Sequence, residues 1–473
     1  MTDMTDINKD TCKVNIQRVM IAAASSGSGK TLVTCGLLKA LKKRGIDIRS
    51  YKCGPDYIDP MFHKKVLNID SENLDSFFSD KDYLRHILLK KGEGSALIEG
   101  VMGLYDGISP ADDMASAYDI AHLTDTPIVL LIDGRGAGRT MISVIKGILS
   151  DDRYSLIKGI ILNRVSRPYF EKIKPYIETE LKKAGYKDVT CLGCVPKLKD
   201  INIESRYLGL KLPNEIEDIN RQLERVSLAI EENCDIDSLI DLMRKSEPLT
   251  GDVCKRTQKE NKELILAVAY DEAFCFYYKE NLDIFREMGV TIKFFSPLND
   301  DHIPKGSSGL LLGGGYPELF LKKLSSNRSM LDSIRNAINS GMPSPAECGG
   351  FMYLHKYVTD KDQNRYELLG LINGECHYTQ SLVRFGYLKM ESCKENASKL
   401  AKSLVGIKGH EFHYYDSTTN GDCLKAVKPD GSRSWDCMIA DENNLWGFSH
   451  FYYGSNVNMI NEFYRRMQNY ADR

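Results

Sequence analysis

The sequence predicts two α/β domains in series, the first built on a doubly wound, mostly parallel sheet. Three observations predict it. From Val19 to about Met243, short β-rich runs alternate with longer helical stretches. A polar, charged segment, Lys245 to Lys262 (KSEPLTGDVCKRTQKENK), then interrupts the pattern. A second alternation of strand and helix signals begins at Leu264. Alternating β and α units are the signature of doubly wound architectures, and strands apolar throughout suit a parallel sheet covered on both faces.

In the first half the expected strands are Val19–Ala24, Ile46–Tyr51, Ala96–Glu99, Ile128–Asp133 and Gly159–Asn163. Helical patterns occupy Thr31–Arg44 and Asp80–Lys90. The boundaries this gives are residues 17–245 for the first domain, 246–262 for a linker and 263–473 for the second domain. In the second domain, strands are expected at Leu264–Tyr270, Thr291–Phe295 and Leu310–Leu312, with helices at Leu282–Met288 and Met330–Asn339.

Composition narrows the function classes. The chain has 473 residues, 27% charged and 42% hydrophobic, as in an ordinary globular protein. Its formal net charge is only −2, which argues against a strongly basic nucleic-acid binder. No run approaches the roughly 18 apolar residues that a membrane span needs. Residues 1–13 show no apolar signal-peptide core. The thirteen cysteines are scattered, and Cys191 and Cys194 have no second pair at zinc-finger spacing. Reduced thiols in the cytoplasm are the expectation.

The first strand runs into Ser25-Ser26-Gly27-Ser28-Gly29-Lys30-Thr31, followed by a helical pattern. Strand, glycine-rich loop and helix in this order form a P-loop. Glycines such as Gly27 and Gly29 let backbone N–H groups curl around phosphate oxygens, and the helix N-terminus adds its dipole. Lys30 would reach the β- and γ-phosphates of a nucleotide, and Thr31 would ligate Mg²⁺. Ala24 stands where the simple pattern has its first glycine. Acidic candidates for the same site are Asp56 and Asp59, in Gly54-Pro55-Asp56-Tyr57-Ile58-Asp59-Pro60, and Glu99, which ends an apolar strand. A charge at the C-terminal end of a parallel strand faces the ligand crevice, and must there be solvated, paired or metal-bound.

The second half carries two further motifs. Leu310–Leu312 runs into Gly313-Gly314-Gly315-Tyr316-Pro317-Glu318. Downstream, Pro345-Ala346-Glu347-Cys348-Gly349-Gly350 sets a cysteine between an extended segment and a helical pattern, as in a nucleophile elbow. The following helix N-terminus is expected to favour the Cys348 thiolate. The N–H groups of Gly349 and of the Gly313–Gly315 loop are candidates for binding an oxyanion. A cysteine nucleophile needs a base. Among the nine histidines, His450, His410 and His413 stand in notable settings, and spacing alone does not choose between them. The His410 and His413 pair is not the His-Glu-x-x-His metal pattern.

Taken together, SSGSGKT (25–31), YKCGPDYIDPMFH (51–63), NLDSFF (73–78), IEGVMGLYDG (98–107), ILNRV (161–165), GGGYPELF (313–320), PAECGGFMYL (345–354) and GHEFHYY (409–415) resemble the cobyrinate a,c-diamide synthase family over nearly the whole chain. The resemblance implies a P-loop ATPase domain similar to dethiobiotin synthetase, followed by a flavodoxin-like class I glutamine amidotransferase domain. It implies an ATP-dependent, glutamine-hydrolysing carbon–nitrogen ligase of cobalamin biosynthesis. Ammonia released at a cysteine would amidate the a- and c-acetate carboxylates of cobyrinate through acyl phosphates. By motif match, Cys348 is the nucleophile and His450 its base, with Gly314 and Gly349 at the oxyanion. Gly27, Gly29, Lys30, Thr31 and Asn163 would bind ATP, with Asn163 on the adenine ring. Thr31, Asp56 and Glu99 would hold Mg²⁺, and Asp106 and Lys52 would act in carboxylate activation.

The implied partners are cobyrinate or a related tetrapyrrole, ATP and L-glutamine, with neither nucleic acid nor membrane; a homodimer is left open. Ni-sirohydrochlorin and hydrogenobyrinate remain alternative substrates. A different class, a P-loop partitioning or scaffold ATPase with an inactive amidotransferase-like domain, conflicts with the intact Cys348, Gly349 and His450. Two positions depart from pattern. Tyr452 stands where class I glutaminases carry a glutamate, and Tyr207 in Arg206–Leu210 replaces the family's usual histidine. Tyr378–Tyr387, with Arg384, is read either as a wall of the substrate site or as an ordinary strand.

Overall fold

A computed structural model describes residues 7–199, 201, 213–256 and 263–473. The described residues divide into two compact units, Lys9–Cys254 and, with Ile7 and Asn8, Lys255–Arg473.

The first unit is built on a seven-stranded sheet in the order Ser71–Leu74, Ile48–Cys53, Gly94–Glu99, Ile16–Ala23, Ile128–Asp133, Ile157–Asn163, Thr190–Val195. Every neighbouring pair is parallel. Because side chains alternate along a strand, Val19, Ile21 and Ala23 enter one core while Met20 and Ala22 enter the other. Helices Lys30–Lys43, Pro213–Asn233 and Ile236–Arg244 cover the first face. Helices Lys81–Leu89, Ala117–Leu123, Thr140–Ser150 and Arg167–Lys183 cover the second. Both faces of the strand need apolar residues, which explains its unbroken hydrophobic run.

The expected strands and helices are all present, with ends shifted by a few residues. Part of the stretch expected as a linker is ordered differently. Leu249–Arg256 is a strand, paired with Ile7–Val14 in a two-stranded ribbon. Leu249 and Val253, two residues of one face, pack into the first unit's core, and the Arg85 guanidinium donates to the Thr250 carbonyl at 2.9 Å. The many polar residues of this segment hid that period-2 pattern. The Arg206–Leu210 segment with Tyr207 lies outside the described residues.

In the second unit, Thr291–Phe295, Ile265–Ala269 and Gly309–Leu311 form one parallel set. A parallel bridge between Leu312 and Ala346 leads on to Ser344–Glu347, which pairs in parallel with Asn444–Gly447. Two sheets with antiparallel pairing were not foreseen. One runs Ser434–Cys437, Leu424–Val427, Arg384–Cys393, Lys408–His413, His450–Phe451; the other is formed by Arg365–Glu367, His355–Thr359, Ile372–Tyr378 and Tyr415–Ser417. The second unit is thus α/β with added antiparallel strands. No helix among the described residues is long and apolar enough to cross a membrane, and no disulfide joins the described cysteines.

Candidate active sites

The P-loop closes the C-terminal edge of the first sheet. Gly27 and Gly29 adopt φ of 74° and 90°, and Gly29 is the N-cap of the Lys30–Lys43 helix. These left-handed conformations suit glycine. Lys30 is buried, and its ammonium is held by the carbonyls of Met102 and, at 3.3 Å, Ser25. Burial, then the neighbouring Lys52, pushes its pKa down to about 8. Asn163 donates from Nδ2 to the Ser28 carbonyl at 2.7 Å and accepts from the Arg164 N–H at 3.0 Å. The amide nitrogen thus braces the P-loop, while a second N–H and a second oxygen lone pair remain on the side chain.

A buried polar cluster stands beside the loop. The Thr31 hydroxyl donates to Glu99 at 2.7 Å and lies 3.5 Å from Asp59. Lys52 Nζ is 2.8 Å from Glu99 Oε1, 2.6 Å from Asp59 Oδ2 and 4.0 Å from Asp56 Oδ2. Burial raises the Glu99 carboxyl to about 7 against the pull of Lys52. Burial raises Asp59, but Lys52, His63 and its hydrogen bonds together outweigh it and hold it low; burial lowers Lys52, but Asp59, Glu99 and Asp56 together hold it high. Asp56 is raised to about 6 by burial and by Asp59. One oxygen of Asp56 also caps the next helix, accepting from the N–H groups of Ile58 and Asp59 at 2.8 and 3.2 Å. Of the two aspartates it is thus Asp59 that lies against Thr31, whereas the resemblance places Asp56 there with Glu99. Asp106 accepts the Gly103 N–H at 2.8 Å and fixes the loop after Glu99.

Among the described residues no cluster of three His, Cys, Asp or Glu forms a metal cage. Mg²⁺ asks for less: one or two carboxylates beside phosphate oxygens. Glu99 Oε2 is buried with no hydrogen-bond partner, and Asp59 and Glu99 lie in mutual hydrogen-bonding reach beside the Thr31 hydroxyl. Converging acids with an unsatisfied oxygen fit a divalent cation.

In the second unit, Cys348 joins strand Ser344–Glu347 to helix Gly349–Leu354 with φ 47° and ψ −102°. A non-glycine residue at positive φ stores strain that the surroundings must hold. Here the Cys348 N–H donates to Gly447 and its carbonyl accepts from Met352, both at 2.9 Å. Gly350 has no room for a side chain, since a Cβ would lie 2.1 Å from the Leu312 oxygen. The glycine loop lies against this turn: a Cβ on Gly349 would come 3.1 Å from Gly315 N. The Gly313 N–H is taken by the Tyr277 hydroxyl at 2.8 Å, so Gly314 and Gly315 carry the loop's remaining amides.

His450 is buried and stacks on His410, ring centroids 5.0 Å apart at 16°. A Cβ on Gly314 would lie 2.3 Å from its Cε1. His410 also meets the Tyr278 hydroxyl at 3.1 Å, while His413 turns to Glu411 at 3.2 Å and to the Tyr415 carbonyl. The two expected alternatives to His450 thus have other tasks. Burial pushes the Cys348 thiol up, and burial followed by His410 and His413 pushes His450 down. The Gly349 N–H at the helix N-terminus favours the thiolate as expected, but burial, with Glu318 and Glu411, outweighs it and keeps the thiol protonated. Arg384, at the start of strand Arg384–Cys393, reaches Glu411 at 3.7 Å and lies over the Trp435 ring.

A phosphate loop with an acidic cluster and a strained cysteine turn with a buried histidine now stand in one chain. Residues 19–208 match the CobQ/CobB/MinD/ParA nucleotide binding domain, and residues 265–456 match the CobB/CobQ-like glutamine amidotransferase domain. The cobyrinate a,c-diamide synthase of Caldanaerobacter subterraneus subsp. tengcongensis is 38% identical over 91% of this chain and 94% of its own. Those of Picrophilus torridus and Listeria innocua are 36% and 38% identical, over 96% and 93% of this chain and 100% and 97% of theirs. The chain belongs to the cobyrinate a,c-diamide synthase family. The nucleotide-binding match makes ATP the nucleotide of the first unit, and the amidotransferase match makes glutamine the nitrogen donor of the second. Within the family's two-domain plan, Lys52, Asp59 and His63 form a buried group that the motifs did not single out as a unit. His63 Nε2 lies 3.8 Å from Glu99 Oε2.

Proposed function

We propose that the chain amidates the a- and c-acetate carboxylates of cobyrinate, using ATP and glutamine. The observation that carries this reading is that one chain holds both the Lys30–Thr31–Asp59–Glu99 cluster and a strained Cys348 turn, with the glycine loop beside that turn packed on His450, and is matched over 91% and 96% of its length by relatives of that name.

At the second unit, His450 takes the Cys348 thiol proton and the sulfur attacks the glutamine amide carbon. The N–H groups of Gly349 and Gly314 hold the oxyanion. His450 returns the proton to the departing nitrogen, which leaves as ammonia, and water then cleaves the thioester to glutamate. At the first unit, a substrate carboxylate attacks the γ-phosphorus of ATP, and ADP leaves. Ammonia attacks the resulting acyl phosphate carbon, and phosphate leaves. Lys30 and the P-loop amides bind the phosphates, Lys52 and Asp106 serve the carboxylate that is activated, and Asn163 keeps the loop in shape. Thr31, Asp59 and Glu99, with Asp56 beside them, would hold Mg²⁺, which when bound neutralises charge on the transferring phosphoryl.

The test incubates purified protein with ATP, Mg²⁺, glutamine and, separately, cobyrinate, hydrogenobyrinate and Ni-sirohydrochlorin, counting amides by mass spectrometry. Two amides on cobyrinate in preference to the others is the expected result; preference for another tetrapyrrole, or none, overturns it. Cys348→Ala abolishes glutamine-driven amidation and spares ammonia-driven amidation, whereas Lys30→Ala abolishes both. Glutamine-driven turnover in Cys348→Ala would refute the nucleophile.

A further inference from the structure

Tyr452 occupies the position of the acid that orients histidine in class I glutaminases, and it packs on Tyr278 with centroids 5.4 Å apart. We propose that Glu347, the residue immediately before the nucleophile, supplies that carboxylate and positions His450 from the neighbouring strand. This rests on the glutaminase reading above.

The geometry follows from the sheet. Ser344–Glu347 and Asn444–Gly447 pair in parallel, with Glu347 opposite Gly447, so Glu347 and His450 both lie beyond the same strand ends. Both are buried, 7% and 2% exposed. Glu347 Oε1 accepts from the Tyr453 hydroxyl at 2.8 Å, and the carboxylate also takes a backbone hydrogen bond from Phe451. Residues flanking His450 therefore hold the acid in place. Its other oxygen, Oε2, faces His450 Nδ1 at 3.9 Å. Engaging Nδ1 leaves Nε2 for the thiol proton, which is the division of labour a nucleophile–base–orienter triad needs. The gap closes as charge develops, since catalytic hydrogen bonds are often long before substrate binds.

A buried carboxyl with no cation against it is costly unless it serves a partner that becomes charged. Burial raises Glu347 to about 8, partly offset by the Tyr453 hydroxyl. The groups around the pair are Cys348 on the same turn, Tyr277 and Tyr453 beside Glu347, and His410, Glu411 and His413 on Lys408–His413, with Glu318 acting on Cys348. The active form has Glu347 ionised, so glutaminase activity should climb as pH approaches about 8.

The experiment measures glutaminase kcat and kcat/KM across roughly pH 6–9 for wild type, Glu347→Gln and Glu347→Asp, with ammonia-driven amidation of the tetrapyrrole as the fold control. Glu347→Gln should lose roughly 100-fold or more in glutaminase kcat and the rising limb near pH 8, while ammonia-driven turnover is retained. Glu347→Asp should recover part of the rate and the limb. A Glu347→Gln profile that keeps the limb with kcat within about threefold of wild type overturns the proposal. Parallel loss of both activities in both variants also overturns it, by making Glu347 a folding residue. Glutaminase activity in Cys348→Ala would instead overturn the underlying reading of the site.

Discussion

Gly314→Ala isolates the contact between the glycine loop and His450, the proposed base. Gly314 has no left-handed backbone, so alanine adds no conformational strain, only a methyl group. That Cβ would lie 2.3 Å from His450 Cε1, about 1.2 Å short of an ordinary carbon–carbon contact. Neither partner can yield easily. His450 is backed by the stacked His410 ring, and Gly314 is pinned by the Phe276 N–H donating to its carbonyl at 3.0 Å. A displacement of about 1 Å in a catalytic group costs about 100-fold in rate, or about 2.7 kcal/mol in activation free energy. The assay is glutamate release in single turnover, beside Cys348 alkylation by iodoacetamide. Alkylation forms no oxyanion, so a slower alkylation reports the displaced base and not a damaged oxyanion site. Both rates should fall while ammonia-driven amidation persists. Glutaminase within about threefold of wild type would refute the claim that Gly314 and His450 are packed face to face.

Gly29→Ala combines a φ of 90° with a Cβ placed 2.4 Å from Asn163 Nδ2; ATP affinity by calorimetry should fall at least about tenfold with glutaminase intact. Asp59→Asn removes the 2.6 Å partner of buried Lys52, and thermal unfolding should show a loss of about 3 kcal/mol together with loss of ammonia-driven amidation. The Glu99 carboxyl, raised to about 7 mainly by burial, must lose its proton before it can take a cation. Mg²⁺ affinity, measured with ATP present, should therefore weaken as pH falls below about 7, by up to about tenfold per unit, and level off above it. In Glu99→Gln that slope should vanish, and an opposite slope in wild type would contradict the assignment.

The parts of this molecule that the sequence made legible are those whose pattern and physics are local. Val19–Ala23 reads as a two-faced buried strand because each face of the sheet meets its own helices. The P-loop and the Cys348 turn read clearly because phosphate cradles and strained nucleophile turns demand glycine at fixed offsets. Ser71–Leu74 went unread because its residues, SENL, lack β-branched or aromatic signals; parallel pairing with Ile48–Cys53 decides their structure. Asp59 was visible beside Asp56, and its i,i+4 relation to His63 was the clue to a shared helix face. The Asp56 cap is local, to Ile58 and Asp59, whereas the placing of Asp59 against Thr31 is set by a contact distant in sequence. The role of Glu347 was hidden for the same reason, since Tyr453 and His450 lie more than a hundred residues away.

The two sites solve opposite electrostatic problems. Around the P-loop, buried Lys52 is balanced by Asp59 and Glu99, so charge is present before any ligand arrives and is already paired. A phosphate with its counter-cation then exchanges partners within a charged cluster and need not charge a neutral one. Around Cys348 the reverse holds: burial favours the thiol over the thiolate and the neutral imidazole over its cation. A resting site of neutral groups does not hydrolyse glutamine efficiently, because the ion pair must first be created in a dry setting. Groups that stabilise that pair only as it forms lower the barrier without lowering the resting state. The Gly349 N–H acts on the sulfur in this way, and an ionised Glu347 beside Nδ1 would act on the imidazolium. The same desolvation that suppresses the resting thiolate then strengthens both interactions once charge appears, so the burial of Cys348 and His450 and the placement of Glu347 belong to one device.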